Sequence, residues 1–180
     1  MRWHPLQLMI LFIICLCTDN VIAQSQYGFN AIYSLPTGSF AGIASHGFGV
    51  NFNTKFFLGP NVALGLTGGY IGYGEKKDRI SYRTVPVTLD GEFYIREEGI
   101  RPYIAFSGGF VLFTRQQKFS QGSASESEFH LTVVPAIGIL LDLSRSIAVN
   151  FNTKYFFYTV KGDSFSALSP AIGLYYKIGY

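Results

Sequence analysis

His46 and His130 are the only histidines beyond the first few residues, and they bound the chemistry this chain could perform. A lipid-cleaving hydrolase holds a histidine between a nucleophilic serine and an acid. His130 follows the serine-rich segment Ser120 to Ser127, with Glu126 and Glu128 beside it, whereas His46 stands at a loop edge. A solvated polar loop accounts for those serines without chemistry, so the expectation is a protein with no catalytic residue and no cofactor. Two separated histidines make no recognisable metal-ligand set. The remaining polar candidates are charges spread along the chain: Lys55, Asp90, Glu92, Arg96, Arg115, Asp142 and Lys154. What they do depends on the elements that carry them.

The 180 residues are 48% hydrophobic and 17% aromatic but only 14% charged. A soluble domain carries about 25% charged residues, and a disordered chain combines more charge with few aromatics. The net charge of +3 is spread thinly, without the basic stripe of a nucleic-acid-binding face, so no nucleic-acid partner is expected. Met1 to Pro5 is short and basic, Leu6 to Cys17 is apolar, and Thr18-Asp19-Asn20 breaks the run before Val21-Ile22-Ala23. That is the form of a secretory signal peptide cut after Ala23, too short for a membrane helix of about 20 residues. A lipoprotein signal lacks its usual small residue before Cys15 or Cys17. Cleavage removes both cysteines and leaves 157 residues, 24–180, as one domain with no disulfide and no thiolate site.

From Tyr27 onward the period is two. Ile172, Leu174, Tyr176, Ile178 and Tyr180 alternate with Ala171, Gly173, Tyr175, Lys177 and Gly179. Eight such runs are expected near 27–36, 46–58, 61–74, 82–96, 101–115, 128–143, 146–160 and 167–180, with no amphipathic helix. Val50 to Phe57 and Val149 to Phe156 differ only by Phe56 against Tyr155, two near-identical solutions to one environment. Tight turns at 58–61, 97–100 and 143–146 alternate with longer polar loops at 37–45, 75–81, 116–127 and 161–166, as in an up-and-down meander.

Which face meets which solvent decides the class. A soluble lipocalin-like barrel points its apolar face inward. Here the other face carries Ala63, Gly65, Thr67 and Gly69, or Ala105, Ser107 and Gly109, residues too small and uncharged for a watery surface but suited to a narrow interior. The apolar face also places Tyr70, Phe93, Tyr155, Phe157 and Tyr176 toward strand ends, where interfacial girdles form. The expected fold is all-β: an antiparallel up-and-down transmembrane β-barrel of eight strands, with ten as the alternative and a soluble barrel or a sandwich as rivals.

With its export signal, eight amphipathic runs, Val85 to Leu89, Arg101 to Ala105 and the aromatic ending Gly173 to Tyr180, the chain resembles the small outer-membrane barrels of the OmpA/OmpX type, often grouped as porin-family proteins of Gram-negative bacteria. The resemblance covers nearly all of the mature chain and implies localisation in the cell outer membrane. It also implies lipid and lipopolysaccharide as surroundings, and Tyr176, Ile178 and Tyr180 as the signal read by the barrel-assembly machinery. A barrel of this size has an interior just wide enough for side chains. The seven charges named above are expected to form a lumen network with Asn51, Asn53, Tyr94, Asn150 and Asn152, in which Asp90 and Glu92 neutralise Lys55, Lys154 or the arginines. The function this supports is structural or surface-interacting, with segment 116–127 as the contact for a partner. A narrow porin-like channel and a lipid-modifying enzyme are the alternatives.

Overall fold

The structure, a computed structural model, describes residues 24–76, 80–119, 122–160 and 163–179. The expected signal segment 1–23 and the last residue, Tyr180, lie outside these. Strands β1 (Ser25–Thr37), β2 (Ala44–Phe57), β3 (Val62–Glu75), β4 (Ile80–Tyr94), β5 (Ile100–Phe119), β6 (Gly122–Asp142), β7 (Ile147–Val160) and β8 (Asp163–Ile178) each pair antiparallel with the next. β8 then returns to β1, from Ser25↔Ile178 to Thr37↔Ser166, and closes the barrel. The strand number is eight, as alternation predicts.

Closure satisfies the backbone without edges, so the outer wall is free to be apolar. It is: Phe48, Leu89, Phe106, Ile137, Phe151 and Leu174 all stand exposed, Leu89 at 71%. Their alternate neighbours point inward, where Gly28 lies under the Tyr175 ring and Gly138 under Tyr103. Proline interrupts the ladder locally because it has no N–H. The β6–β7 pairing skips Val134 and Pro135, and the β8–β1 pairing skips Ser169 and Pro170.

One end of the barrel carries tight turns. Leu58 N–H donates to the Val62 carbonyl at 2.9 Å, Gly99 adopts φ +72°, and the Ser144 hydroxyl accepts from the amides of Ser146 and Ile147. At the opposite, loop end the strands run further than hydropathy suggests. Within the expected loop 116–127, the described residues 116–119 and 122–127 are paired strand: β5 and β6 continue to Phe119↔Gly122, Gln116↔Ser125 and Gln117↔Ala124 included. These residues carry no hydropathic alternation although the backbone still pairs. The expected loop at 37–45 contains a 3-10 turn, Gly38–Gly42.

Adding a side chain at Gly28 should drive a branched carbon into Tyr175. Gly28→Val is expected to lower stability by roughly 1–3 kcal/mol. Urea unfolding in lipid vesicles, followed by loss of the fast-migrating unboiled band on gels, measures it.

Candidate functional site: the lumen

The inward residues divide along the barrel axis. Toward the turn end, β2 brings in Lys55 and β4 brings in Glu92 and Tyr94. The Lys55 Nζ donates to Glu92 Oε2 at 2.7 Å and to the Tyr94 hydroxyl at 3.2 Å, while that hydroxyl donates to Glu92 at 2.5 Å. The ammonium also lies over the rings of Tyr175 (4.6 Å) and Tyr103 (5.1 Å). An ion taken this far from water must be paired and hydrogen-bonded, and here both conditions are met. Of the bases open to Glu92 from the sequence, the one it meets is Lys55.

Asp90, two residues earlier on β4, is held differently. Its carboxylate accepts from Asn53 Nδ2 (3.1 Å), from the Thr88 hydroxyl (2.9 Å) and from the Thr67 hydroxyl. No lysine or arginine among the described residues pairs with it. Lys154 is on the inward phase of β7, and among the described residues no acid pairs with it. It lies beside Ala136 and Ser169 in the register. The reason is direction. The repeated segments Val50–Phe57 and Val149–Phe156 both aim Asn, Asn and Lys inward, but β2 runs toward the turn end and β7 runs away from it. Lys55 is thereby delivered to Glu92, and Lys154 to the other half of the barrel.

Two further charges leave the expected network. Arg96 lies past the end of β4, exposed in the turn, and only its backbone carbonyl takes part, accepting from Arg101 Nε at 3.3 Å. Arg115 is on the inward phase of β5 but beyond the barrel mouth, exposed opposite Tyr82 and Glu126. Asp142 stays inward, and its partner is Lys177 at 2.9 Å.

Arg101 and Lys177 were not among the expected lumen charges, although the parity of β5 and β8 carries the signal: Arg101 shares a phase with Tyr103 and Ser107, and Lys177 with Tyr175. Arg101 is buried, with its guanidinium 4.4 Å from the Tyr94 ring centre and 4.8 Å from Phe57. It also donates from Nη2 to the Pro60 carbonyl at 3.1 Å. One side chain thus ties two turns together beneath the lumen.

The loop-end half departs from expectation. In place of small polar residues it holds Ile32, Phe40, Ile71, Tyr73, Tyr82, Val111, Phe113, Val134, Phe156 and Tyr158 in one buried cluster. A single hydropathy period shows which residues share a face; it does not show that apolar residues occupy both faces near one end.

His46 is exposed against the Tyr33 ring at 5.7 Å, and His130 meets Glu128 at 3.4 Å; among the described residues no serine hydroxyl is bonded to either histidine. Among the described residues no group of three or more His, Cys, Asp or Glu side chains could hold a metal ion. Tyr176 and Ile178 face outward at the end of β8.

In overall structure the chain is similar to Neisserial surface protein A, at 10% identity and a TM-score of 0.63 over 87% of this chain and 97% of that one. It is also similar to Ail, the attachment invasion locus protein of Yersinia pestis, in complex with the heparin analogue sucrose octasulfate (16% identity, 87% and 99% covered, TM-score 0.59). A third is the outer membrane enzyme PagL (16%, 84% and 98%, TM-score 0.51). The chain has the fold of the eight-stranded outer-membrane β-barrels. No protein-family profile and no curated protein matches it.

Removing one member of the buried pair should be far worse than removing both. Glu92→Ala is expected to cost about 3–5 kcal/mol, and the double variant Lys55→Met with Glu92→Leu much less. Lys154→Met, which strands no partner, should be near neutral. Denaturant unfolding of the three variants in vesicles of one lipid composition measures these differences.

Proposed function

We propose that this protein is an integral outer-membrane barrel, exported by a segment cut after Ala23, with a structural or surface-interaction role and a lumen filled by its own side chains. The observation that carries this reading is the pairing of an apolar outer wall with an interior that holds packed side chains at two levels. One level is the Lys55, Glu92, Tyr94 and Arg101 layer, and the other is the Phe40 cluster. Membrane lipid covers the wall, and lipopolysaccharide phosphates meet the loop-end cations, among which Lys76 and Arg115 are exposed. The assembly machinery reads Tyr176, Ile178 and Tyr180 during insertion.

The surface contact is the β5–β6 hairpin. The β6–β7 pairing begins at Thr132↔Tyr158, whereas β6 extends back to Gly122. Its Ala124 to Phe129 stretch is exposed with no strand beside it on the β7 side, an open ladder edge to which an extended segment of a partner can pair.

A narrow ion path is the second reading, and Lys154 favours it: a lumen-facing cation with no counter-ion among the described residues, beside small Ala136 and Ser169. A lipid-modifying enzyme has less support, because among the described residues neither His46 nor His130 holds a hydroxyl and an acid together.

Single-channel recording in planar bilayers separates the first two readings. The filled lumen predicts no steady conductance; a steady conductance altered by Asp90→Asn or Glu92→Gln supports the ion path instead. Replacing 116–127 by a tight turn is expected to keep the barrel folded and to abolish cell-surface binding. Unchanged binding and unchanged envelope integrity would remove the hairpin from the proposal.

A further inference from the structure

Membrane-type barrels of this kind have polar interiors. In this one the loop-end half is lined mainly by rings and branched aliphatics, with a few hydroxyls such as Ser34 and Thr84 among them. At the loop end the 3-10 turn Gly38–Gly42 folds over the mouth and inserts Phe40, which is completely buried. The ring sits in a cage of other rings: Tyr73 at 4.9 Å, Tyr82 at 5.7 Å and Phe113 at 5.8 Å present edges, and Phe165 stacks at 5.1 Å. Ile71, Val111 and Val134 belong to the same cluster, and the Tyr73 ring is anchored by its hydroxyl on Ser34 at 2.9 Å.

The walls and the insert are held by different means. Tyr73, Tyr82, Phe113 and Phe165 stand on strands of the closed ladder, so the cage persists whatever fills it. The turn that delivers Phe40 has no side-chain cap at its start. Its ties to the rest of the protein are exposed: the Ser39 hydroxyl donates to the Ser164 carbonyl at 3.0 Å, and Lys76 Nζ donates to the Ala41 carbonyl. Gly38 at φ +59° lies at one end of the turn and Gly42, where an added Cβ would meet nothing within 4 Å, at the other. Both are suited to swinging the segment outward.

We propose that the loop-end mouth is a binding site for a small apolar aromatic molecule, and that Phe40 is its built-in occupant, displaced when such a molecule enters. The ligand class follows from the cage: it already accommodates a single six-membered ring, offers ring faces and edges at stacking distance, and supplies no charge. Rigid apolar cavities of about this size stay dry and take up benzene-like molecules. Because the ligand competes with Phe40, the intact protein binds more weakly than its emptied cage, by the fraction of time the cage is open. This inference goes beyond the function proposed above and does not depend on it, since the mouth opens at the loop end whichever compartment that end faces.

The test uses toluene as the probe and the full barrel in lipid nanodiscs. Phe40→Ala is expected to keep the heat-modifiable gel shift and to show saturable toluene contacts to Tyr73, Tyr82 and Phe113 ring protons by NMR, with roughly tenfold tighter binding than the wild type. In otherwise wild-type protein carrying 4-fluorophenylalanine at position 40, added toluene should move the fluorine signal from its buried to its solvent-exposed position. Absence of saturable ring contacts in folded Phe40→Ala overturns the proposal. If that variant does not fold, the fluorine titration decides alone: a signal unmoved up to the solubility limit of toluene also overturns it.

Discussion

Everything in this molecule follows from closing eight strands into one ladder. Closure satisfies the backbone within the wall, and that is what permits so many large apolar side chains to face outward without unpaired peptide groups among them. The same closure sets the bore. Eight strands leave room for side chains and little else, so every inward residue is a packing problem and every inward charge an electrostatic one. Lys55 solves both at once, with a carboxylate for its charge and three tyrosine rings around its hydrogens.

The two halves of the interior solve the problem differently. Toward the turns, polarity is kept and the charges are hydrogen-bonded: Glu92 and Tyr94 complete Lys55, and Asn53, Thr67 and Thr88 surround Asp90. Toward the loops, polarity is largely abandoned for rings and branched aliphatics. A repeated octapeptide lies in both β2 and β7, and antiparallel alternation gives its two copies opposite senses. One recipe therefore yields a paired lysine on one strand and, on the other, a lysine with no counter-ion among the described residues.

The strand number, the strand order and the assignment of faces were legible because each rests on alternation, which survives in any single sequence. Lys55, Asp90, Glu92 and Asp142 were legible as inward charges on that basis, and Arg101 and Lys177 obey the same parity. Pairing was only half legible. Which acid meets which base depends on the stagger between distant strands, and no local pattern encodes it. Arg96 and Arg115 show a second limit: phase says which way a residue points, but not whether the wall still exists at its height. The hairpin 116–127 fails to stand out for the converse reason, since its residues pair through backbone groups that every sequence has. Phe40 is concealed most fully, a lone aromatic in a Gly-rich stretch whose partners come from β3, β4, β5 and β8.

The seam between β1 and β8 has a consequence for how the molecule comes into being. Seven of the eight strand pairings join neighbours in the chain and can zip as hairpins, but the eighth brings Ser25 to Ile178, nearly the whole length of the described chain. Contacts so distant are the slowest to form, because the entropy of the intervening chain must be lost first. Until the seam forms, the sheet has two raw margins and its inward charges lie open to water. Its polar inner layer, its aromatic cage and its apolar outer wall therefore mature together, in one late and cooperative event that depends on the final strand.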